Sequence, residues 1–274
     1  MSNILYEKDS TGQYAIFKLN RPDRLNALNS RMMIEITEAL TDFENDKQMR
    51  VGIVTGTGRA FSAGADMREA VERRETVEKL GKENRLSQKE IQEIIERDHP
   101  EKKIEFDLFS KSTKPFIAAV NGLAVGGGMH WVMDCDIRIT SENAYFSLPE
   151  PKIGMPANYG SQYLADLIPL GESLYYLLTS DRMTSQNALR LGLVHEILSS
   201  EDLIPRAISI ASMIVEGAPK AIEATKKMVY FSRSETRLAR EEYAAPILED
   251  VQKSSDIEEG RLAFIERRKP KWSG

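Results

Sequence analysis

The sequence predicts an α/β protein built on a parallel sheet, and three observations predict it. Val51–Thr55 and Phe116–Val120 are short apolar runs of the kind that form strands buried on both faces. Such runs alternate with segments whose apolar residues recur at helical spacing, the signature of strand–helix–strand units. Residues 201–274 carry almost no strand pattern and read as a helical appendage, set apart from a core in residues 1–200. An appendage of this kind must bury its apolar face on the core or on another subunit.

Each element has a local reason. Tyr14–Leu19 reads as a strand with a short partner near Leu5–Lys8, and Asn20-Arg21-Pro22-Asp23 ends it as a turn. Ser30 is the expected N-cap of a helix whose buried stripe is Met33, Ile36, Leu40 and Phe43. Val51–Thr55 then runs into Gly56 and a loop of small residues, Gly58 to Asp66. From Arg68 to Lys103 Glu, Lys and Arg dominate, with sparse apolar positions at Leu80, Ile91, Ile94 and Ile95; this is an exposed helical region or a lid. After Phe116–Val120, two further short strands are expected at Ile137–Thr140 and Ala144–Phe146. Helices are expected at Leu174–Thr179, Ser185–Arg190, Leu203–Val215, Lys220–Phe231 and Glu235–Val251. There is no repeat of solenoid period.

Composition narrows the function. The chain has 274 residues, 37 Lys+Arg against 42 Asp+Glu, and a formal net charge of −5. With no long basic block, a nucleic-acid-wrapping surface is not expected, and RNA binding is disfavoured. A hydrophobic share of 41% argues against disorder. One cysteine, Cys135, cannot close an intrachain disulfide, and the first residues lack a basic segment followed by an apolar run; a reducing, cytoplasmic setting is the expectation. The uncharged stretch between Lys114 and Asp134 is close to membrane-span length, but Pro115, Asn121-Gly122 and Gly126-Gly127-Gly128 interrupt it, so no membrane association is expected.

Two glycine-rich segments carry the chemistry: Ala60-Phe61-Ser62-Ala63-Gly64-Ala65-Asp66, and Asn121-Gly122 through Gly126-Gly127-Gly128-Met129-His130. Each follows a strand and precedes a helix, where backbone N–H groups are unpaired and can hold an anion or a polarised oxygen. Neither is a nucleotide loop. After Gly56-Thr57-Gly58 the third glycine of a dinucleotide fingerprint is replaced by Phe61, and Gly128 is not followed by Lys-Ser/Thr. No spacing joins His99, His130, His195 or Cys135 into a metal site, and no Gly-x-Ser-x-Gly elbow is present. His130 lies just inside the helix that the glycines open. Glu150 sits between Pro149 and Pro151 in a turn after a strand, where a fixed carboxyl near apolar residues serves either proton transfer or simple capping.

Together these segments resemble the crotonase (enoyl-CoA hydratase/isomerase) superfamily, from about Asn20 to Lys269. Asn20-Arg21-Pro22 through Asn26-Ala27-Leu28 resembles the opening CoA loop, and the two glycine-rich segments resemble the two oxyanion loops. Cys135-Asp136 resembles the start of the strand that follows, and Pro149-Glu150 the acid/base turn. Thr184–Val194 resembles the Ala-x-x-x-Gly-Leu-Val segment, and Phe264–Lys269 the C-terminal tail. Each motif is weak alone; their order and spacing make the set specific.

The resemblance implies a spiral of β-β-α turns with a helical C-terminal region for assembly into a homotrimer or a dimer of trimers. The substrate would be an acyl-CoA thioester, with no permanently bound cofactor and no metal. The amides of Ala65 and Gly127 would form the oxyanion hole, and Gly126 and Asp66 would contact the CoA substrate. Arg24, Ala27, Ala63 and Met67 would meet the CoA arm, Asn158 and Tyr159 the acyl pocket, and Phe264 and Arg267 the adenine end. Glu150 would be the main acid/base, and His130 the second catalytic residue, orienting water or an acyl hydroxyl or transferring a second proton. Hydratases of the family use a second carboxylate two residues after the glycines, where this chain has His130; relatives that work with the Pro-Glu acid alone include isomerases and hydratase/lyases. The implied activity is enoyl-CoA hydratase or hydratase/lyase, with a double-bond isomerase, a β-oxoacyl-CoA hydrolase or a non-catalytic CoA-binding assembly protein as alternatives.

Overall fold

A computed structural model describes residues 2–69, 72, 107–233, 243, 246–250, 253–266 and 268–273, with the backbone alone at 257–258, 261–262 and 264–265. The charged stretch 73–106, most of the helix expected over 235–251, His99 and Arg267 lie outside the described residues, as does the side chain of Phe264.

The chain winds as a spiral. It opens with an antiparallel pair, β1 (Ile4–Asp9) and β2 (Tyr14–Leu19), and helix α1 (Ser30–Asn45). Asn29, not Ser30, caps α1: its side-chain oxygen accepts from the Met32 amide, so the helix begins one residue earlier than expected. Three successive turns then place one strand in each of two sheets: β3 (Val51–Gly56) with β4 (Ala60–Ser62), β5 (Phe116–Val120) with β6 (Leu123–Val125), and β7 (Ile137–Ser141) with β8 (Tyr145–Ser147). Helix α2 (Gly127–Asp134) follows β6, and α3 (Asn158–Leu167) follows β8 through a one-turn 3₁₀ helix, Glu150–Ile153. Next come α4 (Leu170–Thr179), β9 (Met183–Thr184), α5 (Ser185–Leu191) and β10 (Glu196–Leu198). Helices α6 (Leu203–Val215), α7 (Pro219–Ser232) and α8 (Ser255–Glu266) complete the described chain. The large sheet runs β1-β2-β3-β5-β7-β10, parallel from β2 onward, and the small sheet runs β4-β6-β8-β9. No helix among the described residues is long and apolar enough to cross a membrane.

The wholly apolar strands are explained by burial on both faces. Phe17, Val54, Ala118 and Val120 face a core built on Phe43, Phe109, Phe116 and Trp131, whose rings meet edge-on or tilted at centroid distances of 5.0–5.6 Å. Their neighbours Ile16, Ile53, Ile117 and Ala119 face the other way, onto Leu203, Ala207, Ile210 and Ala211 of α6. Of the small sheet only β8 was expected, as Ala144–Phe146; the other strands, of two or three residues, are too short to show a period.

The Ala188-x-x-x-Gly192-Leu193-Val194 segment also has a physical basis. Gly192 ends α5 at φ +82°, a left-handed position suited to glycine, and sends buried Leu193 and Val194 into the core. The Leu193 carbonyl accepts from Nε of buried Arg138 at 2.7 Å. His195 takes a structural position, its amide donating to the Arg138 carbonyl at 2.8 Å.

Helix α7 is tied to the core by an ion pair. Lys226 Nζ lies 2.8 Å from Asp136 Oδ2 and donates to the carbonyls of Phe109 and Lys114, while Tyr230 donates to Asp136 Oδ1. Both partners are largely buried, so Lys226→Met leaves Asp136 and two carbonyls without their cation. Urea unfolding should show a loss of about 3–5 kcal/mol; an unchanged midpoint would show that the pair contributes nothing net.

Candidate active site

The site is assembled where the opening loop, the first glycine-rich loop and the start of α2 touch. Buried Asn26 organises the first contact. Its Nδ2 donates to the carbonyls of Thr57 and Ala60, and its own carbonyl accepts from Ser62 Oγ at 2.8 Å. Leu28 and Ala65 form an isolated parallel bridge: the Leu28 amide donates to Gly64 O at 2.8 Å and the Asp66 amide to Leu28 O at 2.9 Å. In such a bridge the intervening residue turns its own N–H away from the partner strand. Neither the Ala65 amide nor that of Gly127, the first residue of α2, has a hydrogen-bond partner among the described residues.

Two glycines permit the close approach. Gly64 has φ +85°, and a Cβ there would lie 2.6 Å from Val125 O and 3.0 Å from the Gly127 nitrogen. A Cβ on Gly128 would lie 2.4 Å from the Ser62 carbonyl oxygen. The first loop therefore packs directly on the N-terminus of α2, and the residue preceding Ala65 abuts the Gly127 amide. A helix N-terminus with unpaired amides favours negative charge.

Glu150 is delivered beside this junction by β8. The Gly126 amide donates to Ser147 O at 2.9 Å, which staples the end of β8 to the second glycine-rich loop. Three residues on, Glu150 opens the 3₁₀ turn. Its Oε1 lies 3.4 Å from the position a Cβ would take on Gly126, and its buried Oε2 has no hydrogen-bond partner among the described residues. Burial pushes its carboxyl pKa up, against a smaller lowering by a backbone hydrogen bond. A carboxyl so placed keeps its proton to higher pH than an exposed glutamate and can deliver it next to an oxyanion.

His130 sits one helical turn after Gly126, buried, with its amide donating to the Gly126 carbonyl at 3.0 Å. Its Nε2 is 3.1 Å from Asp107 Oδ1, and the rings of Tyr159 and Tyr163 lie 4.3 and 5.4 Å away. One turn further, Asp134 Oδ2 accepts from the amides of Leu108 and Phe109 at 2.8 and 2.6 Å. Burial pushes the Asp134 carboxyl pKa up; it pushes up the two tyrosine hydroxyls as well, helped by the charge of Asp107. Asp107, His130 and Asp134 are the one group among the described residues that brings three metal-capable atoms within 4.8 Å of one another. Sequence reading missed Asp107, which lies 23 residues upstream of His130 in a stretch without a motif.

The remaining expected residues take varied positions. Asp66 is paired with Arg21 at 3.0 Å, an interaction that braces the two loops against each other. The Ala63 amide donates to Leu25 O and the Ala27 amide to Arg24 O. Arg24 and Met67 are exposed, and Asn158 is exposed with its Oδ1 accepting from Gln162. Tyr159 packs on His130.

Two unpaired amides, one of them at a helix start, are reached through small residues and flanked by a buried carboxyl; such donors can hold a polarised carbonyl oxygen beside a proton donor. The model of the enoyl-CoA hydratase/isomerase family matches residues 10–274, and the chain belongs to that family. It is 34% identical over 274 residues to a short-chain-enoyl-CoA hydratase of Clostridium acetobutylicum, covering 98% of this chain and 97% of the relative. It is also 34% identical over 265 residues to the carnitinyl-CoA dehydratase of Escherichia coli K12, covering 93% of each. The crystal structure of an enoyl-CoA hydratase/isomerase from Mycobacterium paratuberculosis superposes with a TM-score of 0.82 at 32% identity, over 99% of this chain and 98% of that one. The spiral of β-β-α turns expected from the resemblance is thus the fold, and the chain is an enzyme of this family.

Proposed function

We propose that the enzyme adds water across the double bond of a short-chain enoyl-CoA thioester. The observation that carries this reading is the contact between the Gly64–Ala65 loop and the Gly127 amide, with Glu150 at the adjoining Gly126. The thioester oxygen is held by the amides of Ala65 and Gly127 and becomes enolate-like as water attacks C3. The bond formed is C3–O; the C2=C3 π pair becomes the enolate and then takes the Glu150 proton at C2. In this reading one proton of the attacking water passes to His130, acting as the base, and the other stays on the new C3 hydroxyl. The reaction is a redox-neutral hydration driven by proton transfers and calls for no resident cofactor.

Ala27, Ala63 and Met67 line the path of the CoA arm in this reading, Arg24 faces its phosphates, and Asn158 and Tyr159 border the acyl pocket. Phe264 and Arg267 reach the adenine end, from the same or a neighbouring subunit. Residues 201–274 serve assembly into a trimer or a dimer of trimers in the cytoplasm; a monomer in light scattering would sink that part.

The relatives named for short-chain and crotonyl-CoA hydration support a short acyl chain. Incubation with crotonyl-CoA should yield a product heavier by one water, detected by mass spectrometry, at a rate proportional to enzyme. A moved double bond without water addition would instead establish the isomerase reading, and binding of acyl-CoA without any turnover the non-catalytic one.

A further inference from the structure

The geometry points to Asp107 as the positioning residue that fixes the tautomer and charge of His130 for the hydration step; this rests on the function proposed above. The arrangement is built by α2 itself. Asp134, at the end of that helix, accepts the amides of Leu108 and Phe109, which pins the chain immediately after Asp107. The pinned segment brings Asp107 Oδ1 to 3.1 Å from His130 Nε2, one turn earlier on the same helix. Tyr159 and Tyr163 close on the imidazole from α3 and limit its rotation.

A carboxylate oxygen accepts, so the 3.1 Å contact with Asp107 Oδ1 assigns the imidazole proton to Nε2 and leaves Nδ1 as the basic nitrogen. A proton taken at Nδ1 makes an imidazolium, which the Asp107 charge stabilises at contact distance. A histidine with an anion behind it thereby supplies the basic function at a position where a carboxylate would act alone. The same logic, a base oriented by a third group, recurs wherever an imidazole must take a proton from a weak acid. The other titratable groups facing this pair among the described residues are Asp134 on α2, Tyr159 and Tyr163 on α3, and Asp166, Tyr230 and Arg233, which share with His130 a cavity of about 210 Å³.

Asp107→Asn keeps the shape and removes the charge. The expected result is at least about a tenfold fall in kcat for crotonyl-CoA hydration with KM nearly unchanged. The low-pH limb of the kcat profile, where His130 must lose a proton to act as base, should move to lower pH. Asp107→Glu should retain more activity than Asp107→Asn. Nitrogen-15 NMR of the wild-type enzyme gives a second reading, feasible because the chain has only 3 histidines: His130 should be protonated at Nε2 in its neutral form. Unchanged kcat and pH limb in Asp107→Asn, or a neutral His130 protonated at Nδ1, overturns the assignment. A wild-type enzyme that hydrates no enoyl-CoA overturns the proposed function instead, while the tautomer still reports whether Asp107 sets the imidazole.

Discussion

Glu150→Gln is expected to lower kcat by about 10²–10⁴-fold, the usual contribution of a positioned general acid or base. KM should change little, because the carboxyl acts on C2 and not on the CoA arm. Glutamine keeps the size of the side chain and removes its proton. The pH dependence separates a chemical from a packing role. Burial raises the Glu150 pKa, so the protonated form that donates to C2 persists above the ordinary glutamate range and is lost as pH rises through the raised value. The wild-type rate should fall along that limb, and the limb should vanish in the variant. Stability follows the same sign. A folded-state pKa above the unfolded one favours the native state at low pH, and this contribution is lost as pH rises from the unfolded pKa through the folded one. Glu150→Gln should therefore be more stable than wild type above that window, with the difference shrinking below it, as thermal melts at several pH values would show. An enzyme that trades stability for a buried acid has this signature.

Gly128→Ala is expected to cost about 100-fold in kcat, through geometry alone. The new methyl would stand 2.4 Å from the Ser62 carbonyl oxygen and 3.0 Å from its carbon. These are backbone atoms, so either the first loop or the start of α2 must move. That displacement separates the Ala65 amide from the Gly127 amide, and loss of one oxyanion donor costs roughly 2.7–4 kcal/mol of transition-state stabilisation. Gly171→Ala provides the control: a methyl there meets nothing within 4 Å, and the residue lies in α4. The control should keep wild-type turnover and gain slightly in helix stability. Equal turnover in both variants would mean that the closeness of the two loops does not matter for the reaction.

Much of this site was legible in the sequence. Glycines before a helix, a carboxyl between prolines, and a fully apolar strand each have a local physical cause, so Gly126–Gly128, Glu150 and Phe116–Val120 could be read residue by residue. The strand Phe116–Val120 and the helix Leu203–Val215 fall where the sequence puts them, since continuous burial and a long apolar stripe are strong signals. What escaped are contacts between distant segments. The Arg21–Asp66 pair joins residues 45 apart, and nothing in either segment names its partner. Asp107 is an ordinary acid until Asp134 holds its neighbours against α2. Apart from β8, the strands of the small sheet, two or three residues each, carry too little pattern to be seen. The helix cap at Asn29 was displaced by one residue because Ser and Asn compete for that role and the packing decides.

The most direct measurement of the central claim is hydrogen exchange at the α-carbon of a saturated thioester, butyryl-CoA, in deuterated water. Exchange needs only the oxyanion cradle and one carboxyl, with no water addition. The wild-type enzyme should incorporate deuterium at C2, Glu150→Gln should not, and Gly128→Ala should do so far more slowly. A wild-type enzyme that binds butyryl-CoA and leaves its α-protons untouched would contradict the account.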